Sequence, residues 1–404
     1  MLLFSIETSC DETAAAILDF NSKGEFKLLA NQISSQIKIH APWGGIVPNL
    51  ASREHTKNIL PVIKKTFAEA KLSPKKIDLF CATEGPGLIP ALLIGTNCVK
   101  TLSFFHQKPL IGVHHIEGHI YSNFIKNNKG DLNQFKFPIL NLVISGGHTQ
   151  LILMKNHLEY KIVGQTQDDA IGEAFDKVAK ILGFEYPGGP IISEQANQAE
   201  KLIKKIGINH LSKVRGKTEQ RNGVYSKINK MNSGSFDKEI CQMSNSKIEK
   251  YLKIKFPRPM MHLPNLDFSF SGLKTAVLYF YQKLEKENLP EKKMLIWKKF
   301  ISRAFQDAVV EVLQFKTLKA IELYQPKTVL LSGGVSANNK ILETLEKKLS
   351  AQYPTTIFHS PEKNLCGDNA VMIGIAGIAK YLYGDKKKFK DNWQDLEANS
   401  NLKL

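Results

Sequence analysis

Residues 2–20, LLFSIETSCDETAAAILDF, contain the pattern that decides the fold. An apolar run from Leu2 to Ile6 meets a polar turn, Glu7-Thr8-Ser9-Cys10-Asp11-Glu12-Thr13, and a second apolar run continues to Phe20. Short apolar runs on either side of a polar turn predict two strands paired through it. The chain then says the same thing again. Residues 137–154 pass through Pro-Ile-Leu-Asn-Leu-Val-Ile, turn at Ser145-Gly146-Gly147-His148-Thr149, and go on through Gln-Leu-Ile-Leu-Met. Further along each half a buried strand runs into a glycine loop and a helix. These are Ile77 to Ala82 before Glu84-Gly85-Pro86-Gly87-Leu88, and Thr328 to Leu331 before Ser332-Gly333-Gly334-Val335-Ser336-Ala337-Asn338.

A strand-turn-strand followed by strands alternating with helices predicts α/β sheets covered by helices. Two such halves face each other across a cleft. Loops of Gly, Ser and Thr at strand ends let backbone amides approach phosphates closely. Four of them in matching positions predict a nucleotide cleft, the organisation of the duplicated actin, Hsp70 and sugar-kinase-like (ASKHA) fold. The expected division is an N-terminal half over 1–125 and a C-terminal half over 126–384. A polar tail, 385–404, is expected outside the core.

At 404 residues and 43% hydrophobic content the chain can bury proper cores. No apolar run approaches the roughly 18 residues of a membrane span, and the first residues lack the pattern of a secretory signal. Five scattered cysteines with no CxxC suit reduced thiols in cytoplasm. The net charge of +17 is uneven: residues 201–255 hold 14 Lys and Arg against 4 Asp and Glu. That stretch reads as a basic surface insertion, attractive to a phosphate backbone. Tyr225, Phe236 and Tyr251 within it are candidates for stacking on bases.

The segment His114-His115-Ile116-Glu117-Gly118-His119 carries the metal chemistry. On a helix, His115 and His119 stand about 40° apart and one turn along the axis, which is how two imidazoles converge on one transition metal. Two satisfied histidines on a buried helix is the plainer alternative. His106, Glu117 and Gly118 add to a polar helix start, and His114 lies off the shared face. A zinc protease would need its glutamate directly after the first histidine. Glu117 comes two later, about 200° around the helix, which counts against that activity.

These motifs and others in one order resemble the bacterial TsaD (formerly Gcp) family along nearly the whole chain. They include IETSCDET from Ile6, GGIVPNLASREH from Gly44, SGGHTQL from Ser145 and DDAIGEAFDKVAKILG from Asp168. They continue with YPGGP from Tyr186, FPRPM from Phe256, DFSFSGLKTA from Asp267, SGGVSANN from Ser332 and CGDNAVMIG from Cys366. The resemblance implies transfer of a threonylcarbamoyl group from threonylcarbamoyl-AMP to the exocyclic amine of the adenosine 3′ of the anticodon. The tRNAs are those reading codons that begin with A. It implies metal ligands His115, His119 and Asp368 for one divalent ion, usually iron, with zinc the other candidate. It implies adenylate contacts at Val143, Ile144, Ser145, Gly146, Gly147, Asp176, Gly189 and Asn338. Partners implied are tRNA, a TsaB-like paralogue, a TsaE-like ATPase and a TsaC-type synthase upstream.

The residues allow these roles beside simpler ones. Asp368 precedes a helix start and reads as a helix cap or as the carboxylate of a two-His, one-carboxylate site. Asp176 shares a helix face with Glu173 and binds a ribose or a solvated lysine. Asn338 binds adenosine or caps its helix. Asp11 and Glu12, the candidate catalytic pair, orient the amine or a cation. Asn49 stands where the family has glutamate. A nucleotide-binding scaffold without chemistry, or a small-molecule kinase, would not need the histidine pair.

Overall fold

The computed structural model describes residues 1–205, 250–385, 389 and 393–404. Its first sheet contains β1 (Leu2–Glu7), β2 (Glu12–Phe20), β3 (Glu25–Ser35), β4 (Leu79–Gly85), β5 (Leu110–His114), β6 (Ile125–Lys126) and β7 (Lys129–Asp131). Their order across the sheet is β5-β4-β1-β2-β3-β7-β6. The second contains β8 (Ile139–Ile144), β9 (Thr149–Met154), β10 (Tyr160–Gln165), β11 (Thr328–Ser332) and β12 (Ile357–His359), in the order β10-β9-β8-β11-β12. Reversed, the second order superposes on the first five strands of the other sheet, β5-β4-β1-β2-β3. The senses agree too. The β1–β2–β3 and β8–β9–β10 meanders are antiparallel, whereas β4 and β5, like β11 and β12, run parallel to the first strand. The duplication read from the two polar turns is a duplication of whole sheets, and the fold is the duplicated ASKHA arrangement.

The helices are α1 (Ile37–His40), α2 (Pro48–Ala70), α3 (Ile89–His106), α4 (His115–Tyr121), α5 (Ile171–Ile181), α6 (Gly188–Lys205), α7 (Ser271–Glu285), α8 (Glu291–Tyr324), α9 (Asn339–Gln352) and α10 (Ala370–Tyr383). Central strands are covered on both faces, so β1 and β8 read as continuous apolar runs. One core lies outside the first sheet, with Phe4, Ile17 and Phe80 against Ile59 and Phe67 of α2. A second lies outside the second sheet, where Leu140 and Leu142 meet Phe175, Phe305 and Val309. The third lies between the sheets. There α10 and α4 pack against Leu3, Ala14, Val143 and Ile152.

Helix α10 belongs to the second half by sequence, yet it lies on β1 and β2 of the first. Two of its glycines make that approach possible. A Cβ on Gly374 would stand 2.4 Å from Leu18 Cδ1, and one on Gly377 would stand 2.4 Å from Cys81 Sγ.

The tail, expected outside the core, is packed instead. Leu396 is buried with Phe80 and Val99, Trp393 rests on Phe104 with ring centroids 4.7 Å apart, and Asn399 N donates to Glu84 O at 2.8 Å. Its apolar residues are few but spaced to dip into the first half. Tyr251 is also unlike its expectation: it packs on Trp297 and Phe300, centroids 4.2 and 5.1 Å away, so its ring is spent in the core. The rest of the basic insertion, residues 206–249 with Tyr225 and Phe236, lies outside the described residues.

Candidate metal centre and nucleotide cavity

Strand β5 ends at His114 and α4 begins at His115, so the motif is a strand-to-helix junction. His114 is the cap of that helix. Its ring accepts from Ile116 N at 3.1 Å while the Glu117 carboxylate accepts from His114 N at 3.2 Å, a reciprocal pair that uses two otherwise unpaired amides. Glu117 then pairs with Lys380 at 2.8 Å and faces away from the histidine pair. His106 takes no part. It ends α3 and stacks on Phe80.

His115 and His119 follow on one face, ring centroids 4.6 Å apart. Asp368 arrives from the segment before α10. The cap of α10 is Asn369, whose side chain accepts from Met372 N at 2.9 Å, and this leaves the Asp368 carboxylate uncommitted. Asp368 Oδ1 lies 3.5 Å from His115 Nε2 and 3.3 Å from His119 Nε2, and the three donors stand within 4.8 Å of one another. Gly118 sets this spacing. A Cβ there would come 2.8 Å from Ile373 Cδ1, so glycine lets α4 and α10 close together.

The polar atoms fit a metal ion. His119 is fully buried, yet neither ring nitrogen has a hydrogen-bond partner among the described residues. Such groups are costly unless something else takes the lone pair. Behind His115, the wholly buried Glu7 lies 3.3 Å from Nδ1, and Ser9 Oγ lies at 3.2 Å. Glu7 is itself held by the Ser9 amide and the Thr83 hydroxyl. A carboxylate only accepts, so it keeps a proton on Nδ1 and fixes the ring with Nε2 on the Asp368 side. Burial opposes charge on His115, but Asp368 and Glu7 outweigh it and hold the imidazole up at about 9. Burial likewise works against the Asp368 anion, and His115 with His119 overcomes it, leaving the carboxyl far below its ordinary range. Burial and the neighbouring histidines push His148 down to about 3.

A cavity of about 420 Å³ is lined by Gly146, Asp176, Gly189, Ser193, Gln306 and Asn338, among others, and the turn that supplies Gly146 also carries His148, within electrostatic reach of the histidine pair and Asp368. Asp176 Oδ1 accepts from Gly188 N at 2.7 Å. Asn338 both caps and lines. Its Oδ1 accepts from Lys340 N at 2.9 Å, and its Nδ2 donates to Ser193 Oγ at 2.9 Å and Gln306 Oε1 at 3.0 Å. The turn after β8 is fastened to the start of α5, with Gly172 N on Ser145 O and Glu173 N on Gly146 O, each at 3.2 Å.

The TsaD family, described as tRNA N6-adenosine threonylcarbamoyltransferase, matches residues 27–241 and 222–375. Proteins of that description in Thermosipho africanus and Listeria monocytogenes are 41% and 38% identical to it. The first is covered over 100% of both chains, the second over 100% of this chain and 96% of its own. The Staphylococcus aureus protein is 36% identical, over 100% of this chain and 97% of its own. The chain belongs to the TsaD family. Among solved structures, full-length HypF in its phosphate- and nucleotide-bound form is 13% identical. It spans 95% of this chain and 47% of its own at a TM-score of 0.49, too remote to bear on the site.

The residues named by resemblance to TsaD fall into three groups. His115, His119 and Asp368 come together as a potential ligand set. Gly146, Asp176, Gly189 and Asn338 line one cavity. Val143 and Ile144 differ: their side chains are locked in the cores, so only their backbone faces any ligand. The amides of the turn are not all available either. Ser145 N donates to His148 O at 2.8 Å and His148 N to Ser145 Oγ at 3.2 Å, leaving those of Gly146 and Gly147 for an anion. Asp11 is buried, and Glu12 beside it accepts from Ser35 Oγ at 3.0 Å. Burial, then Asp11 and Asp368, raises the Glu12 carboxyl well above its usual range.

Glu7 escapes a reading of the sequence. Its signal was a lone glutamate closing an apolar strand, two residues before a serine and ahead of the turn that faces the histidines. Asn49 is exposed near the start of α2.

Proposed function

We propose that this TsaD-family chain transfers a threonylcarbamoyl group from threonylcarbamoyl-AMP to the N6 amine of the adenosine 3′ of the anticodon. The observation that carries the reading is the His115–His119–Asp368 group beside a nucleotide-sized cavity. The amine nitrogen attacks the carbamoyl carbon, and a C–N bond forms. The C–O bond to phosphate breaks, AMP leaves with the electron pair, and the nitrogen gives up a proton. The adenylate occupies the cavity, its ribose on Asp176 and its base near Asn338. The Gly146 and Gly147 amides face the leaving phosphate, fixed dipoles aimed where charge develops. Asp11 and Glu12 orient the amine.

His115, His119 and Asp368 would hold one divalent metal, iron by family and zinc by the same donor set. Such an ion supplies Lewis-acid polarisation of an oxygen in the carbamoyl-phosphate linkage. Glu7 and Ser9 hold His115 for it.

No described helix is long and apolar enough to cross a membrane, and a tRNA substrate puts the enzyme in cytoplasm. A TsaB-like paralogue docks on the N-terminal half, where Leu60 of α2 and Phe105 of α3 are 60% and 73% exposed. A TsaE-like ATPase and an upstream TsaC-type synthase complete the system.

His115→Ala, His119→Ala and Asp368→Ala should each lose metal and transferase activity while remaining folded. Elemental analysis and transfer of label from threonine into tRNA measure the two. Full metal occupancy in all three variants would overturn the ligand set. A wild-type protein that labels no tRNA with its partners and adenylate present would overturn the reaction.

A further inference from the structure

A second hollow adjoins the nucleotide cavity and has been given no role above. Its volume is about 610 Å³, it shares Asp176 with its neighbour, and Lys38, Trp43, Lys180, Glu185 and Tyr186 line it. The two hollows therefore share one carboxylate in their walls.

The outer end is aromatic and cationic. Trp43 closes the short turn Ala41–Trp43, its side chain is 66% exposed, and it stacks on no other ring among the described residues. Lys180 reaches over the same loop: a Cβ on Gly44 would stand 3.7 Å from its ammonium. The inner end is acidic. Asp176 and Glu185 line it with Tyr186, whose hydroxyl is raised out of its ordinary range by burial first and by the Asp11 and Asp176 carboxylates in addition. Asp176 feels Asp11 in the same way. The hollow thus runs from an open indole flanked by two lysines to the carboxylates near the metal centre.

A ligand matching both ends needs a flat π face, an anionic backbone and an amine donor pointing inward. An unpaired stretch of RNA containing adenosine has all three. Its bases can stack on an aromatic ring, its phosphates meet the lysines, and the exocyclic amine of adenine donates to carboxylates. From this juxtaposition we infer that the hollow is the acceptor subsite, taking the unstacked adenosine of the anticodon loop while Trp43 stacks on a base of the same loop. This rests on the function proposed above and adds where the RNA enters. Donor and acceptor then approach the centre from opposite sides of Asp176.

The test uses the full chain with its partners and an anticodon stem–loop RNA. Trp43→Ala should raise the KM for that RNA about tenfold, in line with the usual worth of a base–aromatic stack, and leave affinity for threonylcarbamoyl-AMP unchanged. Trp43→Tyr should restore most of the loss. The stem–loop should quench tryptophan fluorescence in the wild type but not in Trp43→Phe, and a loopless duplex should quench neither. An unchanged KM in Trp43→Ala, with the wild type active, overturns the subsite and leaves the reaction standing. A wild type that quenches but never transfers overturns the reaction and supports the subsite. Loss of a protein partner in place of RNA affinity makes Trp43 a protein contact and overturns the inference.

Discussion

Glu7 shows how much of a site can depend on a residue that never meets the substrate. It is fully buried at the end of β1, satisfied by the Ser9 amide and the Thr83 hydroxyl, with one remaining direction of acceptance toward His115. Glu7→Gln keeps the shape but can present an amide N–H to Nδ1, removing the reason for a single tautomer. Metal affinity should fall by about 10- to 100-fold, the usual cost of losing such an outer partner. Titrating the metal-free variant with cobalt(II) and following its absorption would show it, and unchanged affinity would refute it. The histidine pair was legible in sequence because helical spacing is local, whereas Asp368 stood beside it only through the resemblance to the family. Glu7 was not, since its meaning comes from a residue 108 positions away. The cap was also hidden: Asp368 and Asn369 are both good capping residues, and only the backbone shows that Asn369 does it. A second residue-scale expectation concerns pH. His157 Nε2 donates to Leu132 O at 3.1 Å, Nδ1 lies 3.0 Å from Tyr121 Oη, and burial pushes the ring down to about 4. Unfolded, it takes a proton near 6.5. Between those values the unfolded chain binds more protons, so stability rises with pH and is lost as pH falls from 6.5 to 4. Thermal melting across that range should drop for the wild type and drop less steeply for His157→Phe. Parallel curves would remove His157 as a cause.

At the scale of elements, the candidate metal centre is a crossing of two helices. Helix α4 has seven residues, all buried, and its contact with α10 is set by the bare backbone of Gly118. Gly118→Ala favours the helix locally, by about 1 kcal/mol. It also drives a methyl into Ile373, where overpacking of about 1–3 kcal/mol is the rule. The relief is for the helices to part, and the donors part with them. Metal occupancy should therefore fall more than melting temperature does, which elemental analysis and calorimetry can compare; retained metal in a clearly destabilised protein would contradict it. The elements themselves were unevenly readable. β1, β2, β8 and β9 announce themselves because both faces are covered and nearly every residue is apolar. β3 and β10 do not. In β3 only Phe26 and Ala30 are buried, and Asn31, Gln32 and Ser34 dilute the pattern below recognition. β5 was masked by its successor, since the histidines that mark the helix also close the strand.

For the whole molecule, the second sheet repeats five of the seven strands of the first, and the cleft between them follows from that repetition. What the repeat does not foretell is the exchange at the end of the chain. Helix α10 comes after all twelve strands of the described residues, yet it fills the space between the sheets and lies on the first strands made. The tail then returns to the first half, where Lys100 Nζ donates to Leu396 O at 2.9 Å and His114 Nε2 lies 3.1 Å from Leu402 O. This sets a timetable for biosynthesis. A ribosome that has delivered the whole N-terminal half has delivered a sheet whose inner face is covered by α4 alone, with the place of α10 still bare. The nascent first half then waits for α10 before that core closes. Chains stalled just before Ala370 should stay protease-sensitive in residues 1–125, and release of the complete chain should protect them. A stalled fragment already protected there would show that the first sheet closes without its final helix.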